Sequence, residues 1–358
     1  MKPIYLDYVS LTPINKEVIK IVKKYSSGEY TNPSALYTSA IKAKKAIEDA
    51  RIRIAKILHA HADEIIFTSG GTESNQLVIR NFKENFPYKQ IVISSIEHSS
   101  IIKNVQAVHI PVNKNGIIDL AEFKKSITPE VGLVSIMMVN NEIGTIEPIQ
   151  EIAKIIRDSK KSLNTKIFFH VDACQAPISL HINVEKLSID IMTLDGAKIY
   201  GPRGVGMLYV KRNTLNISRH GTENIPGIMG FTYALELAEK MREKETKRTG
   251  ELKSFFINQL RKIIPDLKIN GDINISSPHI LNISIPNIDN EFFVLKLDAK
   301  DIECSTKSAC LRDEDESYVL KAIGVDSKTS VRFSFGRETT KGKLKKVVKV
   351  IAGILNKD

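Results

Sequence analysis

The sequence predicts an α/β fold, with a large domain built on a mostly parallel sheet flanked by helices and a smaller α+β C-terminal domain. Short apolar runs alternate with helix-period segments as far as Val210. Polar residues of chemical interest gather at the C-terminal ends of those runs, where open α/β sheets bind ligands. After Gly250 the texture changes to short strands interleaved with helices. At 358 residues the chain is long enough for a large core and more than one domain. This reading assigns residues 14–248 to the large domain, and 1–13 with 249–358 to the small one.

In order, Ile4-Tyr-Leu6 leads to Asp7, and Pro13 opens a short helix through about Tyr25. Residues 36–58 read as a helix, because Ala40, Ala43, Ile47, Ala50, Ile54 and Ile57 recur at three- and four-residue spacing. Residues 65–67 are a short buried strand, after which Thr68-Ser-Gly-Gly-Thr72 turns into a helix to about Phe86. A Gly-rich turn at a helix N-terminus can hold a phosphate on its free N–H groups; capping by Ser69 or Thr72 is the plainer use. Residues 90–95 form the next strand, with Glu97-His98 at its end. Residues 132–139 form another and end in Asn140-Asn141, whose side chains suit a turn.

A helix over 149–159 and a polar loop to Thr165 lead into the strand 166–171, and Asp172 stands at its end. Residues 189–194 and 207–210 are strands, with Lys198 in the Gly- and Pro-rich turn between them. A long charged helix over 231–248 bridges to the small domain, where Gly250 starts a new helix to Ile264. Strands near 280–285 and 331–335 and helices near 291–297 and 316–323 follow. The last helix, 341–355, gathers Leu344, Val347, Val348, Ile351, Ile354 and Leu355 on one face, read as core rather than membrane-binding.

Composition excludes several classes. Hydrophobic content of 42% with 26% charged residues is that of a soluble globular protein. No apolar run has membrane-spanning length and no signal-peptide pattern opens the chain, so a cytoplasmic protein with no membrane association is expected. The net charge of +11 comes from lysines spread along the chain, without arginine-rich runs or aromatic–basic alternation. Direct nucleic-acid binding is therefore the less favoured reading of that charge. The 3 cysteines, Cys174, Cys304 and Cys310, suggest no disulfide framework and leave room for a reactive thiol. No metal site is expected.

Two residues suggest chemistry. A lysine between buried strands is costly unless its charge is paired or removed, and a Schiff base with an aldehyde removes it. Lys198 suits that task, with an ordinary turn lysine as the alternative. Asp172, at the end of the preceding strand, could set a carboxylate against a pyridinium nitrogen, or simply cap a helix.

Phe67-Thr-Ser-Gly-Gly-Thr-Glu-Ser-Asn75, Glu97-His-Ser-Ser100, Asn140-Asn-Glu-Ile-Gly-Thr145, His170-Val-Asp-Ala-Cys-Gln175, Lys198-Ile-Tyr-Gly-Pro-Arg-Gly204, Arg219-His-Gly-Thr-Glu-Asn224, Ser308-Ala-Cys310 and Ser330-Val-Arg-Phe-Ser-Phe-Gly336 occur in this order. Together they resemble the NifS/IscS cysteine desulfurases among the class V, fold-type I enzymes dependent on pyridoxal 5'-phosphate (PLP), over nearly the whole chain. The resemblance implies that Lys198 carries PLP and shifts the substrate α-proton. It implies that Asp172 faces the pyridinium nitrogen, Gln175 the phenolic oxygen, and Gly71 and Thr72 the phosphate. It makes His98 the residue that stacks on the ring and relays protons, and places Asn141 against cofactor and substrate. Arg332 clamps the substrate carboxylate, a bidentate task suited to guanidinium. Thr222 reaches the phosphate of a partner subunit, which implies a homodimer.

The implied reaction takes sulfur from L-cysteine, releases L-alanine and leaves a persulfide on Cys310. Lys307 and Arg312 supply positive charge to that thiolate. An acceptor protein then takes the sulfur, for iron–sulfur assembly or for tRNA or DNA thiolation. Cys304 and Cys174 are read as small buried residues without a role. The alternatives are another PLP lyase, such as one acting on selenocysteine, and a weakly catalytic scaffold that binds a partner.

The chain departs from the family in four places. Tyr8-Val-Ser-Leu-Thr-Pro13 replaces Asn-Asn-Ala-Thr-Thr-Pro, and Ala35 and Tyr37 alter the substrate mouth. The segment after Val210 lacks a Gly-Gly-Gly-Gln-Glu run. Asp195 and Ala197 replace the serine and histidine of Ser-x-His-Lys that help bind phosphate. A carboxylate there repels phosphate unless turned away or paired, which leaves Thr193 as a substitute donor.

Overall fold

A computed structural model describes residues 2–27, 31–307 and 316–356. The chain opens with β1 (Ile4–Tyr5), α1 (Lys16–Ser27), α2 (Thr38–Leu58), β2 (Ile65–Thr68) and α3 (Gly71–Asn85). Next come β3 (Gln90–Ser94), α4 (Ser99–Ile102), β4 (Val108–Ile110), α5 (Leu120–Ser126), β5 (Val131–Met137) and α6 (Ile149–Ser162). Then β6 (Phe168–Asp172), β7 (Ile191–Asp195) and β8 (Gly206–Val210) complete a 7-stranded sheet of order β2-β8-β7-β6-β5-β3-β4. Strands β3 to β7 pair in parallel, and β8 runs antiparallel to both neighbours.

The mixed sheet follows from its connections. Helical crossovers return the chain to the same end before most strands, as parallel pairing requires. Only a turn of ten residues separates β7 from β8, too short for a crossover, so that pair is antiparallel. Every residue of β5 and β6 is buried, as befits strands covered on both faces. Alternation divides the side chains. Val92, Val134, Phe169 and Met192 join a core with α2 and α6, while Ile93, Leu133, Phe168 and Ile191 join one with α3.

The rest consists of α7 (Ile225–Leu260), β9 (Lys268–Ile269), β10 (Ile280–Ser284), α8 (Asn290–Asp298), β11 (Ile302–Glu303), α9 (Tyr318–Ala322), β12 (Ser330–Ser334) and α10 (Lys341–Leu355). Strands β12, β10 and β9 form an antiparallel sheet, and β1 pairs in parallel with β11. Their core holds Phe256, Phe333, Phe335 and Leu344. Phe256 meets Phe333 edge-on at 5.2 Å between ring centroids.

Gly250 does not start a new helix, contrary to the expectation from sequence. Helix α7 runs unbroken for 36 residues, roughly 54 Å. An isolated glycine costs a helix only about 1 kcal/mol. Phe231, Ala234 and Leu235 bury against one core, and Leu252, Phe256 and Leu260 against the other, so burial on both sides offsets that cost.

Candidate active site

The C-terminal ends of β5, β6 and β7, the start of α3 and the N-terminal residues surround a cleft of about 270 Å³. His98, Asn141, Asp172, Gln175, Lys198 and Arg332 all line it, as do Gly71 and Thr72. Residues up to 261 positions apart thus meet because parallel strands deliver their C-terminal ends to one edge. Arg332 arrives from β12 across the cleft.

Asp172 ends β6 and is 6% exposed. Its Oδ2 accepts from Asn75 Nδ2 at 2.8 Å and its Oδ1 from the Cys174 N–H at 3.0 Å. Asn75 also donates to Ser100 Oγ, while its own Oδ1 is buried with no partner among the described residues. His98 precedes α4, and its Nδ1 accepts from the Ser100 N–H at 3.2 Å. In neutral His98 that contact leaves the proton on Nε2.

Lys198 closes a 3₁₀ turn, Gly196–Lys198, and its Nζ donates to the Ser10 carbonyl at 2.6 Å. Thr12, 2% exposed, clamps this turn. Its Oγ1 donates to the Ala197 carbonyl at 2.8 Å and accepts from the Tyr200 N–H at 2.7 Å. Tyr200 holds a left-handed backbone, φ 63°, which a bulky residue rarely adopts without such support. Sequence reasoning gave Thr12 no role; its place in the altered Tyr8–Pro13 stretch was the available signal.

Arg332 is 1% exposed. It donates from Nη2 to Asp7 Oδ1 at 2.8 Å and Ser10 Oγ at 3.0 Å, and from Nη1 to the Asn141 carbonyl at 3.0 Å. Its Nε has no partner among the described residues. Gln175 Nε2 donates to the Val9 carbonyl at 3.0 Å. Residues 9–11 therefore form one wall of the site, held from behind by Asp7 and Thr12.

Several expectations need correction. Thr193 is no substitute phosphate donor, because it is fully buried within the sheet and its Oγ1 bonds His170 Nε2 at 3.0 Å. Cys174, read as a small buried residue without a role, lines the cleft. Burial, together with Asp172 and Asp195, pushes its thiol well above the ordinary range, so it stays protonated. Burial also raises the Cys304 thiol. Thr222 is exposed and does not line the cleft of its own chain. Cys310 and Arg312 lie outside the described residues. Lys307 Nζ sits 3.7 Å from Glu291.

Asp195 is the largest departure from expectation. It is neither turned away nor paired with a cation. Gly70 precedes α3 with φ 152° and has no side chain to cap it. Asp195 supplies the cap instead: its Oδ2 accepts from the Gly71 N–H at 2.9 Å and its Oδ1 from the Ala197 N–H at 2.8 Å. A Cβ on Gly71 would lie 2.7 Å from Cys174 Sγ, so only glycine fits there.

These residues fit PLP at its ring. A buried, hydrogen-bonded carboxylate, an amine, an imidazole and a glutamine amide converge on a space large enough for it. The anion end of the site exists as well, at the start of α3, although Asp195 sits on it.

A family model for Aminotransferase class-V matches residues 4–218 and 216–347. Cysteine desulfurase IscS of Dictyoglomus turgidum is 37% identical over 381 residues, covering 99% of this chain and 95% of that protein. A solved NifS-like protein superposes with a TM-score of 0.91 at 28% identity, covering 99% of both chains. SspA solved in complex with cysteine gives 0.78 at 29% identity, covering 92% of this chain and 98% of that one. The strand order, the cleft and these matches together place the chain in the class-V aminotransferase family, among the IscS/NifS-like cysteine desulfurases.

Proposed function

We propose that this chain is a PLP-dependent cysteine desulfurase that takes sulfur from L-cysteine, releases L-alanine and holds the sulfur as a persulfide on Cys310. The observation that carries this reading is the convergence of Asp172, Lys198, His98 and Arg332 on one cleft. The same convergence favours an enzyme over a scaffold. A solved relative that holds cysteine supports the substrate.

PLP, when bound, draws electron density away from the substrate Cα. Asp172 would hold the proton on the ring nitrogen, and Gln175 would meet the phenolic oxygen. Lys198 Nζ moves the α-proton once freed, with the Ser10 carbonyl as its resting partner. Arg332, held by Asp7 and Ser10, orients the substrate carboxylate beside Asn141. His98 carries an Nε2 proton for the departing or incoming group. Cys310 would attack the substrate sulfur as a thiolate, forming the S–S bond as the substrate Cβ–S bond breaks, and the electron pair left on carbon takes a proton to give alanine. Both flanks of its segment are tied to the site: Ser305 pairs with the Arg332 backbone, and Ser317 Oγ donates to Glu142 beside Asn141.

We further read the chain as a homodimer. Thr222, exposed in its own chain, suits contact with a partner's phosphate site. Residues 14–248 act as the cofactor domain, and 1–13 with 249–358 as the domain carrying Cys310. A sulfur-acceptor protein is the expected partner and the cytoplasm the expected location. Among the described residues no helix is long and apolar enough to cross a membrane.

The test is peptide mass spectrometry of PLP-loaded protein after incubation with L-cysteine, with alanine assayed in the same tube. A one-sulfur gain on Cys310 together with alanine supports the reading, and Cys310→Ala abolishes the gain. Alanine without that gain moves the sulfur elsewhere. Neither product, from protein shown to hold PLP, overturns the reading, and turnover of selenocysteine alone would replace it.

A further inference from the structure

The N-terminus of α3 is the only end of a long helix that lines the cleft among the described residues, and it already holds an anion. Gly70 cannot cap it, and Asp195, from the end of β7, does so across 124 positions of chain. The carboxylate lies close against the glycine backbone. A Cβ on Gly70 would meet Asp195 Oδ2 at 3.2 Å, and one on Gly71 would meet it at 3.4 Å. A phosphate drawn to this helix end meets a like charge on the Gly71 N–H.

Among the described residues Thr72, on the first turn of α3, brings a hydroxyl to the cleft, but a neutral hydroxyl does not offset the carboxylate's charge. Ala197 has no polar side chain, and Thr193 Oγ1 is committed to His170. Arg219 lies 3.5 Å from Glu73, on the first turn of α3, so its charge is already shared with a carboxylate. Lys198 is engaged with Ser10 and is the amine assigned to the aldehyde. Asp195 is itself useful where it stands, because it ties α3 to the turn that presents Lys198.

We propose that Asp195 is a built-in competitor for the cofactor's phosphate. Its carboxylate fills the anion end of α3, the phosphate enters by displacing it, and the chain therefore holds its cofactor reversibly. This rests on the reading of the cleft as a PLP site. The consequence is a PLP-free protein that is complete at this helix end, with a cofactor affinity set by one side chain.

The experiment compares wild type with Asp195→Asn, which keeps the shape, and Asp195→Ser, which also clears space. Equilibrium dialysis measures PLP affinity, and thermal unfolding of the PLP-free proteins is followed with and without inorganic phosphate. Both variants are expected to bind PLP roughly tenfold to a hundredfold more tightly, given like charges within a few ångströms at an effective dielectric near 20. Phosphate is expected to raise the melting temperature of the variants and leave that of the wild type unmoved. Unchanged or weaker PLP binding in both variants overturns the proposal, as does equal stabilisation of wild type by phosphate. If no form binds PLP while phosphate still separates variants from wild type, competition at α3 stands and the PLP reading falls.

Discussion

Arg332 and Asp7, 325 positions apart, form an ion pair at 2.8 Å in which the guanidinium is 1% exposed. The start of the chain is thus part of the site: β1 pairs with β11, and Asp7 bridges to Ser334 on the strand that carries Arg332. A buried cation that loses the carboxylate it bonds is left uncompensated. Asp7→Asn is expected to destabilise the protein by about 3 kcal/mol. A ligand carboxylate can supply the missing charge. L-Alanine should therefore raise the melting temperature of the variant more than that of the wild type. Thermal unfolding with and without L-alanine checks this; equal shifts would mean that Arg332 does not face the ligand carboxylate.

Thr12 offers a second test. Its hydroxyl gives one hydrogen bond and takes another inside the turn that presents Lys198. Thr12→Val keeps the volume and loses both bonds, leaving the Tyr200 N–H without its acceptor. The expected cost is about 1–3 kcal/mol in chemical denaturation. Because Thr12 acts by positioning Lys198, PLP retention should weaken too, and Thr12→Ser should restore it. Loss of stability with normal PLP retention would make the clamp purely structural.

Much of this was legible in the sequence, and the limits have physical causes. The strands around Asp172 and Lys198 and the terminal helix, Lys341–Leu355, could be read because their apolar spacing reports burial directly. The cofactor residues were read from motifs at strand ends, and the structure brings Asp172, Gln175, Lys198, His98 and Arg332 to one cleft. The resemblance put the Tyr8–Pro13 stretch near the substrate, but the contacts of Asp7, Ser10 and Thr12 were not legible. They depend on pairings hundreds of positions away, which no local pattern encodes. The sequence showed that Asp195 was misplaced for a phosphate site. It could not show the missing side chain of Gly70 drawing that carboxylate onto α3.

Acid should destabilise the fold through two histidines. His170 lies between Ser135 Oγ at 2.8 Å and Thr193 Oγ1 at 3.0 Å, and burial lowers it to about 4. His279, bonded through Nδ1 to Ser277 Oγ, is lowered to about 3 by burial and by the charge of Lys253. Unfolded histidines take up protons near pH 6.5. From there down to about pH 4 the unfolded chain binds two protons that the native one refuses. Stability falls by up to about 2.7 kcal/mol per pH unit from this pair, and the slope fades out above about pH 7.5. His170→Asn should reduce the acid slope relative to wild type by up to about 1.4 kcal/mol per pH unit, measured as urea-unfolding free energy between pH 6.5 and 5. An unchanged slope would mean that His170 is charged in the native state.

Glu147 has the opposite sign. It is 3% exposed, its Oε2 accepts from the Ile118 N–H at 3.0 Å, and its Oε1 has no partner among the described residues. Burial pushes it up to about 8 from an ordinary 4.5. The native protein therefore keeps a proton that the unfolded chain has already lost across that window. Stability contributed by the neutral carboxyl is complete below pH 4.5 and drains away as pH rises towards 8, at up to about 1.4 kcal/mol per pH unit. Glu147→Gln keeps the acceptor for Ile118 and removes the titration. The variant should match wild type near pH 5 and exceed it at pH 8 by a few kcal/mol, with the gap widening steadily between. Urea unfolding of both proteins at several pH values reads that gap directly. A constant difference at all pH values would mean that Glu147 is ionised in the fold, with a cation or water supplying the partner that Oε1 lacks.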